Sequence, residues 1–222
     1  RKNFKTVKIS MNGNLLGIID GLSSLRPIFN MEADFQFALG WEIQKKFPDW
    51  SVRFEHKPTN LKDRIFVDLW IKGDQTSAIE LKYKTRKLDV NVKGESFNLL
   101  DQAAQDLGRY DFLKDIERLE NIVSIHDNVK GYAIILTNDS AYWKTPSTRQ
   151  QDPPGGYGNK FRIHEGEILN GELAWHPETS SGTMRGREKP IKLTGTYKLS
   201  WKDYSQVSST SYGKFRYLFL EI

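Results

Sequence analysis

Apolar and polar positions alternate in recognisable periods along most of the chain. Thr6–Ser10 and Leu15–Ile19 flank the turn dipeptide Asn12-Gly13, which predicts a β-hairpin over residues 6–19. Residues 31–47 carry a helical period: Phe35, Ala38, Leu39, Glu42, Ile43 and Lys46 share one side, and Pro48 stands just past the end. Two strands follow, Ser51–Glu55 and the more apolar Ile65–Ile71. A Gly73-Asp74 turn leads into a third, Ser77–Tyr83. Short links between the three predict an antiparallel or mixed meander. Residues 99–120 form the clearest helix, with a stripe through Leu100, Ala103, Leu107, Tyr110, Leu113, Ile116 and Leu119. Gly131–Thr137 is apolar and β-branched, the pattern of a buried central strand.

The texture changes after about residue 144. Residues 145–159, with Pro153-Pro154-Gly155-Gly156, read as a loop, and 177–189 as a second polar loop. Strand-like pieces lie at Phe161–His164, Glu167–Trp175 (with an Asn170-Gly171 turn), Ile191–Trp201 and Phe215–Ile222. The expected architecture is α/β (α+β). An α-β-β-β-α-β core at about 31–137 is preceded by a hairpin and followed by a β-rich extension at about 145–222, within a single domain over 1–222.

Composition narrows the chemistry. The 222 residues contain no cysteine, so disulfides, cysteine zinc sites and thiol nucleophiles are excluded. No apolar run approaches the roughly 20 residues of a membrane helix, and no signal peptide is visible; a reducing cytoplasm is the expected compartment. The net charge of +5 is uneven: residues 1–30 and 144–222 are each net +4, while 31–143 is net −3. An acidic centre between basic flanks suits a carboxylate site that grips a polyanion, and it also suits an ordinary solvated surface. His56, His126, His164 and His176 lack metal-ligand spacing, and no Walker A, GxSxG or GxGxxG motif is present.

One grouping carries chemistry. Asp68 interrupts the apolar strand Ile65-Phe66-Val67-Asp68-Leu69-Trp70-Ile71, where an unpaired carboxylate is costly. Glu80 and Lys82 are two apart in Ala78-Ile79-Glu80-Leu81-Lys82-Tyr83, so they project to one face while Ile79 and Leu81 face the other. Pairing of the two strands through the Lys72–Thr76 turn brings Asp68 beside Glu80. Two hard carboxylates suit Mg²⁺, and a neighbouring ammonium can orient a water or stabilise developing charge.

The segment Asp68 … Glu80-Leu81-Lys82 resembles the signature of the PD-(D/E)XK nuclease superfamily, which includes restriction endonucleases, Holliday-junction resolvases and repair nucleases. That family has an α-β-β-β-α-β core with the acid on the second strand and E-x-K on the third. The resemblance covers roughly residues 31–137; Val67 stands where the family has Pro before the Asp. It implies a metal-dependent endonuclease acting on DNA, in restriction or another defence system, with RNA open as a substrate. Asp68, Glu80 and the Leu81 carbonyl would hold Mg²⁺ (or Mn²⁺), and Lys82 would position the water. A homodimer or a partner protein is compatible with it. A second E-x-K, Glu55-His56-Lys57, lacks an upstream strand acid and is ended by Pro58.

The family's further acid on the first helix has Glu32 as its candidate here, with Glu42 and Glu55 as rivals. A family Gln on the second core helix would be Gln102 or Gln105, each equally readable as surface. Lys84, Arg86, Lys87 and Lys93 follow the site and suit phosphate contact or a solvated loop. Asp111, Asp115 and Arg118 read first as charge pairing along a helix face. Trp143, Trp175 and Trp201 read as core. The alternative function is a nucleic-acid-binding module that keeps the fold without turnover; a carboxylate-pair glycosidase fits Lys82 poorly.

Overall fold

The computed structural model describes residues 11–59, 65–146, 156 and 158–222. Met11–Leu25 forms helix α1 and Glu32–Lys46 forms α2. The strands Ser51–His56 (β1), Val67–Lys72 (β2) and Thr76–Lys84 (β3) follow. A hairpin of Leu88–Val92 (β4) and Glu95–Leu99 (β5) precedes helix α3, Gln105–Ile125, and strand β6, Val129–Thr137. The remainder is a 3₁₀ turn at Asn159–Phe161, then β7 (Ile168–Leu173), β8 (Ile191–Lys198), β9 (Trp201–Gln206) and β10 (Lys214–Glu221).

The described residues thus build a mixed α/β architecture around a six-stranded mixed sheet ordered β1-β2-β3-β6-β10-β9. β1, β2 and β3 are an antiparallel meander, β3 runs parallel to β6, and β10 lies antiparallel to both β6 and β9. β6 is interior and almost wholly buried, as its apolar run requires. The sheet separates two apolar cores. On one face Leu69, Ile79, Leu81, Tyr83, Ile134 and Tyr217 pack against α1, α2 and the β4–β5 hairpin. On the other, Ala78, Ala133, Ile135, Leu218 and Leu220 pack against α3 and the β7–β8 hairpin. Among the described residues no helix is long and apolar enough to cross a membrane.

Four expectations are corrected. The hairpin over residues 6–19 is replaced from Met11 onward by α1; Thr6–Ser10 lies outside the described residues. Leu15, Ile18, Ile19 and Leu22 recur at helical spacing and all four are buried, while Gly13, Gly17 and Gly21 share the open side. Burying four large side chains, at about 1.5–3 kcal/mol each, outweighs a glycine cost of roughly 1 kcal/mol apiece. Phe161–His164 is no strand: its first residue closes the 3₁₀ turn and is buried against Tyr110 and Trp175. Asn170-Gly171 lies inside β7 and is no turn: the register against β8 shifts there because Thr194 and Gly195 bulge out of β8, with Gly171 at φ 64°. The helix expected from 99 begins only at Gln105, because Leu99 belongs to β5 and Leu100 is exposed.

The β4–β5 hairpin escaped detection because its turn is Lys93-Gly94. Both residues have positive φ (53° and 85°), and Val92 pairs Glu95 across that two-residue loop. The β-rich tail is no appendage: β9 and β10 complete the central sheet, and Tyr204 and Tyr217 reach α1 through hydrogen bonds to the Arg26 carbonyl and to Asp20. Trp143, Trp175 and Trp201 are all core residues, in agreement with the sequence.

Candidate active site

The site forms where β2 and β3 part. Their ladder runs from Lys72↔Thr76 to Leu69↔Ile79 and stops there, one residue short of Asp68 and Glu80. Beyond that point β3 still needs acceptors on its open edge. Carboxylates supply them: the Leu81 N–H donates to Asp68 Oδ2 at 2.6 Å, and the Tyr83 N–H donates to Glu32 Oε2 at 2.7 Å. Two acids distant in sequence therefore take the place of a strand.

Strand alternation sends Glu80 and Lys82 to the α3 face, beside Ala78, while Ile79, Leu81 and Tyr83 enter the opposite core. Both charged side chains meet partners on α3. Lys82 Nζ lies 2.6 Å from Asp115 Oδ2, and Arg118 places one guanidinium nitrogen 3.2 Å from Glu80 Oε1 and the other against Asp115 Oδ1. Arg118 also donates to the Phe66 carbonyl at 3.3 Å, just ahead of β2. Lys82 Nζ donates to the Leu81 carbonyl at 3.2 Å as well.

Gln36, which the sequence reading passed over, fixes Asp68 from behind. Its amide donates to the Asp68 carbonyl and to Glu55 Oε1, each at 2.8 Å, and it is buried on α2. Glu55 has φ 47° in β1, directly across from Asp68 in the register that His56↔Val67 and Phe54↔Leu69 define.

The acids outnumber the bases. Among the described residues, Asp68, Glu80, Asp115 and Glu32 face only Lys82 and Arg118. Burial pushes the Asp68 carboxyl up to about 6; Asp115 and Glu32 add to this, while the Leu81 N–H and Lys82 oppose it. Burial also pushes Glu80 well above the usual carboxylate range, with Asp115 and Asp68 reinforcing it against Arg118 and Lys82. Burial raises Asp115 too, yet each of its oxygens sits against a cation, which is an arrangement that holds the ionised form. Desolvation works against the charge on Lys82, but Asp115, Glu32 and Asp68 override it and keep the ammonium protonated.

Of the three helix and strand acids considered, Glu32 alone acts electrostatically on both Asp68 and Lys82. Glu42 pairs with Lys45 at 3.7 Å and lines a cavity with Leu22 and Leu25 of α1, and Glu55 serves Gln36. Gln102 and Gln105 hold neighbouring loops, through Thr85 and Asp139 respectively. Arg86 pairs with Asp101 at 2.5 Å and lies over the Tyr212 ring, and Lys93 binds the Ser24 carbonyl at the end of α1. Lys87 is exposed. Lys84 and Glu32 share the wall of a cavity of about 440 Å³ with Asn30, Met31, Thr85 and Gln102, so open space adjoins the site.

Asp115 and Arg118 are more than the helix-face pair expected of them. Asp111 turns away to a two-pronged contact with Arg187, at 2.6 and 2.8 Å, whereas Asp115 and Arg118 close over β3. A signal was present: Asp115 occupies a core position in the series Phe112, Asp115, Leu119, Ile122.

Among the described residues no group of three or more His, Cys, Asp or Glu side chains is placed to hold a metal ion. Glu80 feels the charges of both Asp115 and Asp68, and the Leu81 carbonyl already accepts from Lys82 Nζ. Comparison with protein-family models, curated proteins and solved structures returned no match.

Proposed function

We propose that the chain is a metal-dependent nuclease of the PD-(D/E)XK type, with a restriction-endonuclease-like core, hydrolysing phosphodiester bonds in DNA. The observation that supports it best is the meeting of Asp68, Glu80 and Lys82 at the point where β2 and β3 part, under α3, with more buried acid than base to balance it. Hard oxygen donors and a surplus of negative charge suit Mg²⁺ or Mn²⁺. Asp68, Glu80 and the Leu81 carbonyl would hold the ion, and Glu32 would assist from the start of α2. Bound there, it would neutralise the scissile phosphate and lower the pKa of a water.

The chain's own groups do the rest. Lys82, kept protonated, donates from Nζ to the attacking water or to charge developing on the phosphate. Asp115 holds that ammonium in position, and Gln36 holds the Asp68 backbone. Lys84 beside the cavity, the exposed Lys87 and Arg86 are the candidates for backbone phosphates, Arg86 once released from Asp101. A cytoplasmic role in restriction or another defence system, as a homodimer or with a partner protein, is consistent with this reading, and RNA is the other substrate class.

The second reading is a nucleic-acid-binding module without turnover. The pairing of Lys82 with Asp115 and of Arg118 with Glu80 favours it, since those contacts already neutralise much of the cluster. Incubation with supercoiled plasmid and Mg²⁺ or Mn²⁺, with and without EDTA, separates the two. Nicking or linearisation abolished by EDTA supports the nuclease. Binding without cleavage of any DNA or RNA supports the module.

A further inference from the structure

Arg118 stands where the cluster lacks positive charge. Glu80 is 2% exposed, and its Oε1 makes an ionic contact with Arg118 but no hydrogen bond of acceptable geometry. Arg118 has two further anchors, Asp115 Oδ1 one turn earlier on α3 and the Phe66 carbonyl. Its side chain is 25% exposed, the most accessible of the charged groups in the Glu80–Lys82–Asp115–Arg118 cluster. Lys82 is less free, with Asp115 Oδ2 on one side and the Leu81 carbonyl on the other.

We infer that Arg118 is a resident counter-cation, occupying at Glu80 the place a divalent cation takes during turnover, so that cation entry and the Arg118–Glu80 contact exclude one another. The inference rests on the metal-dependent reading above. A carboxylate oxygen in so small a space accommodates a guanidinium or a dication, because the two cations would repel each other across a dry gap. The contact with Glu80 is also the weakest of the three that Arg118 makes to charged or polar oxygens by geometry, being the one without a hydrogen bond. On leaving Glu80 the guanidinium stays tethered by Nη2 to Asp115, because Nη1 is the nitrogen shared between Glu80 and the Phe66 carbonyl. It then lies at the mouth of the site, turned from a guard of the acid into a cation facing an incoming phosphate. The arrangement offsets part of the acid excess at Glu80 and disfavours idle metal uptake.

The test is Mn²⁺ binding in the absence of nucleic acid, followed by electron paramagnetic resonance, for the wild-type chain, Arg118→Gln, and Arg118→Gln combined with Glu80→Gln. Arg118→Gln should bind Mn²⁺ about tenfold tighter or more, and the double variant should lose that gain. Measurable binding to wild type with no gain in Arg118→Gln overturns this inference and leaves the metal site standing. Absence of Mn²⁺ binding in all three overturns both. A measurement on the wild-type chain covers the case in which the glutamine variant does not fold. The Arg118 side-chain Nε–H resonance, assigned by its loss in Arg118→Lys, should move in step with Mg²⁺ addition. A resonance unmoved at saturating Mg²⁺ overturns the inference.

Discussion

The ammonium of Lys82 on β3 lies 2.6 Å from the carboxylate of Asp115 on α3, joining the strand that carries the E-x-K segment to the helix that covers it. Both side chains are largely buried, and among the acids that hold the Lys82 charge Asp115 acts most strongly. Asp115→Ala should therefore destabilise the protein by about 3–5 kcal/mol, read from urea midpoints, because it strands a buried cation. Combining it with Lys82→Met should recover most of the loss. A double variant as unstable as the single would show that the pair is not coupled.

Glu80→Ala and Lys82→Ala should each lower cleavage by about 10³-fold while circular dichroism stays native. DNA binding should survive in both, and tighten in Glu80→Ala, since a negative charge leaves a phosphate site. Wild-type cleavage rates in folded Glu80→Ala would refute the assignment.

The pH dependence follows from Asp68, whose folded-state carboxyl titrates at about 6 rather than near 3.8. A raised carboxyl binds its proton more tightly in the folded state. The stability it contributes is present below about pH 4 and is lost as pH rises through about 6. In metal-free buffer, Asp68→Asn should come close to wild type near pH 4 and exceed it by about 3 kcal/mol at pH 7. Added Mg²⁺ should narrow the gap at pH 7 by stabilising wild type alone. Equal wild-type and variant stabilities at pH 7 without metal would show that Asp68 carries no such strain.

Glu32 combines a backbone role with a charge, and the two separate by substitution. Glu32→Gln keeps an oxygen for the Tyr83 N–H, so stability should stay within about 0.5 kcal/mol, while cleavage falls about tenfold or more. Glu32→Ala should lose the same activity and a further 1 kcal/mol or so, from the orphaned N–H. Full cleavage by Glu32→Gln would leave the residue a purely structural role.

Much of the architecture was legible because its elements bury one face each. The period of Phe35, Leu39 and Ile43 marks α2, and the continuous run through Ile134 and Leu136 marks an interior strand; both are buried as read. α1 was misread because Asn12-Gly13 is a strong local turn signal, and the burial that overrides it comes from a sheet assembled much later in the chain. The β4–β5 hairpin was missed because its turn, Lys93-Gly94, is not the usual Asn-Gly or Asp-Gly dipeptide, although Leu88, Val90 and Val92 alternate with polar residues as a half-buried strand does.

Asp68, Glu80 and Lys82 could be picked out from sequence because local rules apply to them: an acid inside an apolar strand, and two charges two apart on one strand face. How their partners reach them could not, and Glu32 was a candidate only through the family resemblance. Gln36, Asp115 and Arg118 reach the site through the packing of α2 and α3 on opposite faces of the sheet, and Glu32 through the parting of β2 from β3. Periodicity within a segment determines which side of an element a residue occupies. Only the tertiary packing of those elements decides which charges from distant segments share a buried space, and hence which carboxylate is matched by a cation and which is left in excess.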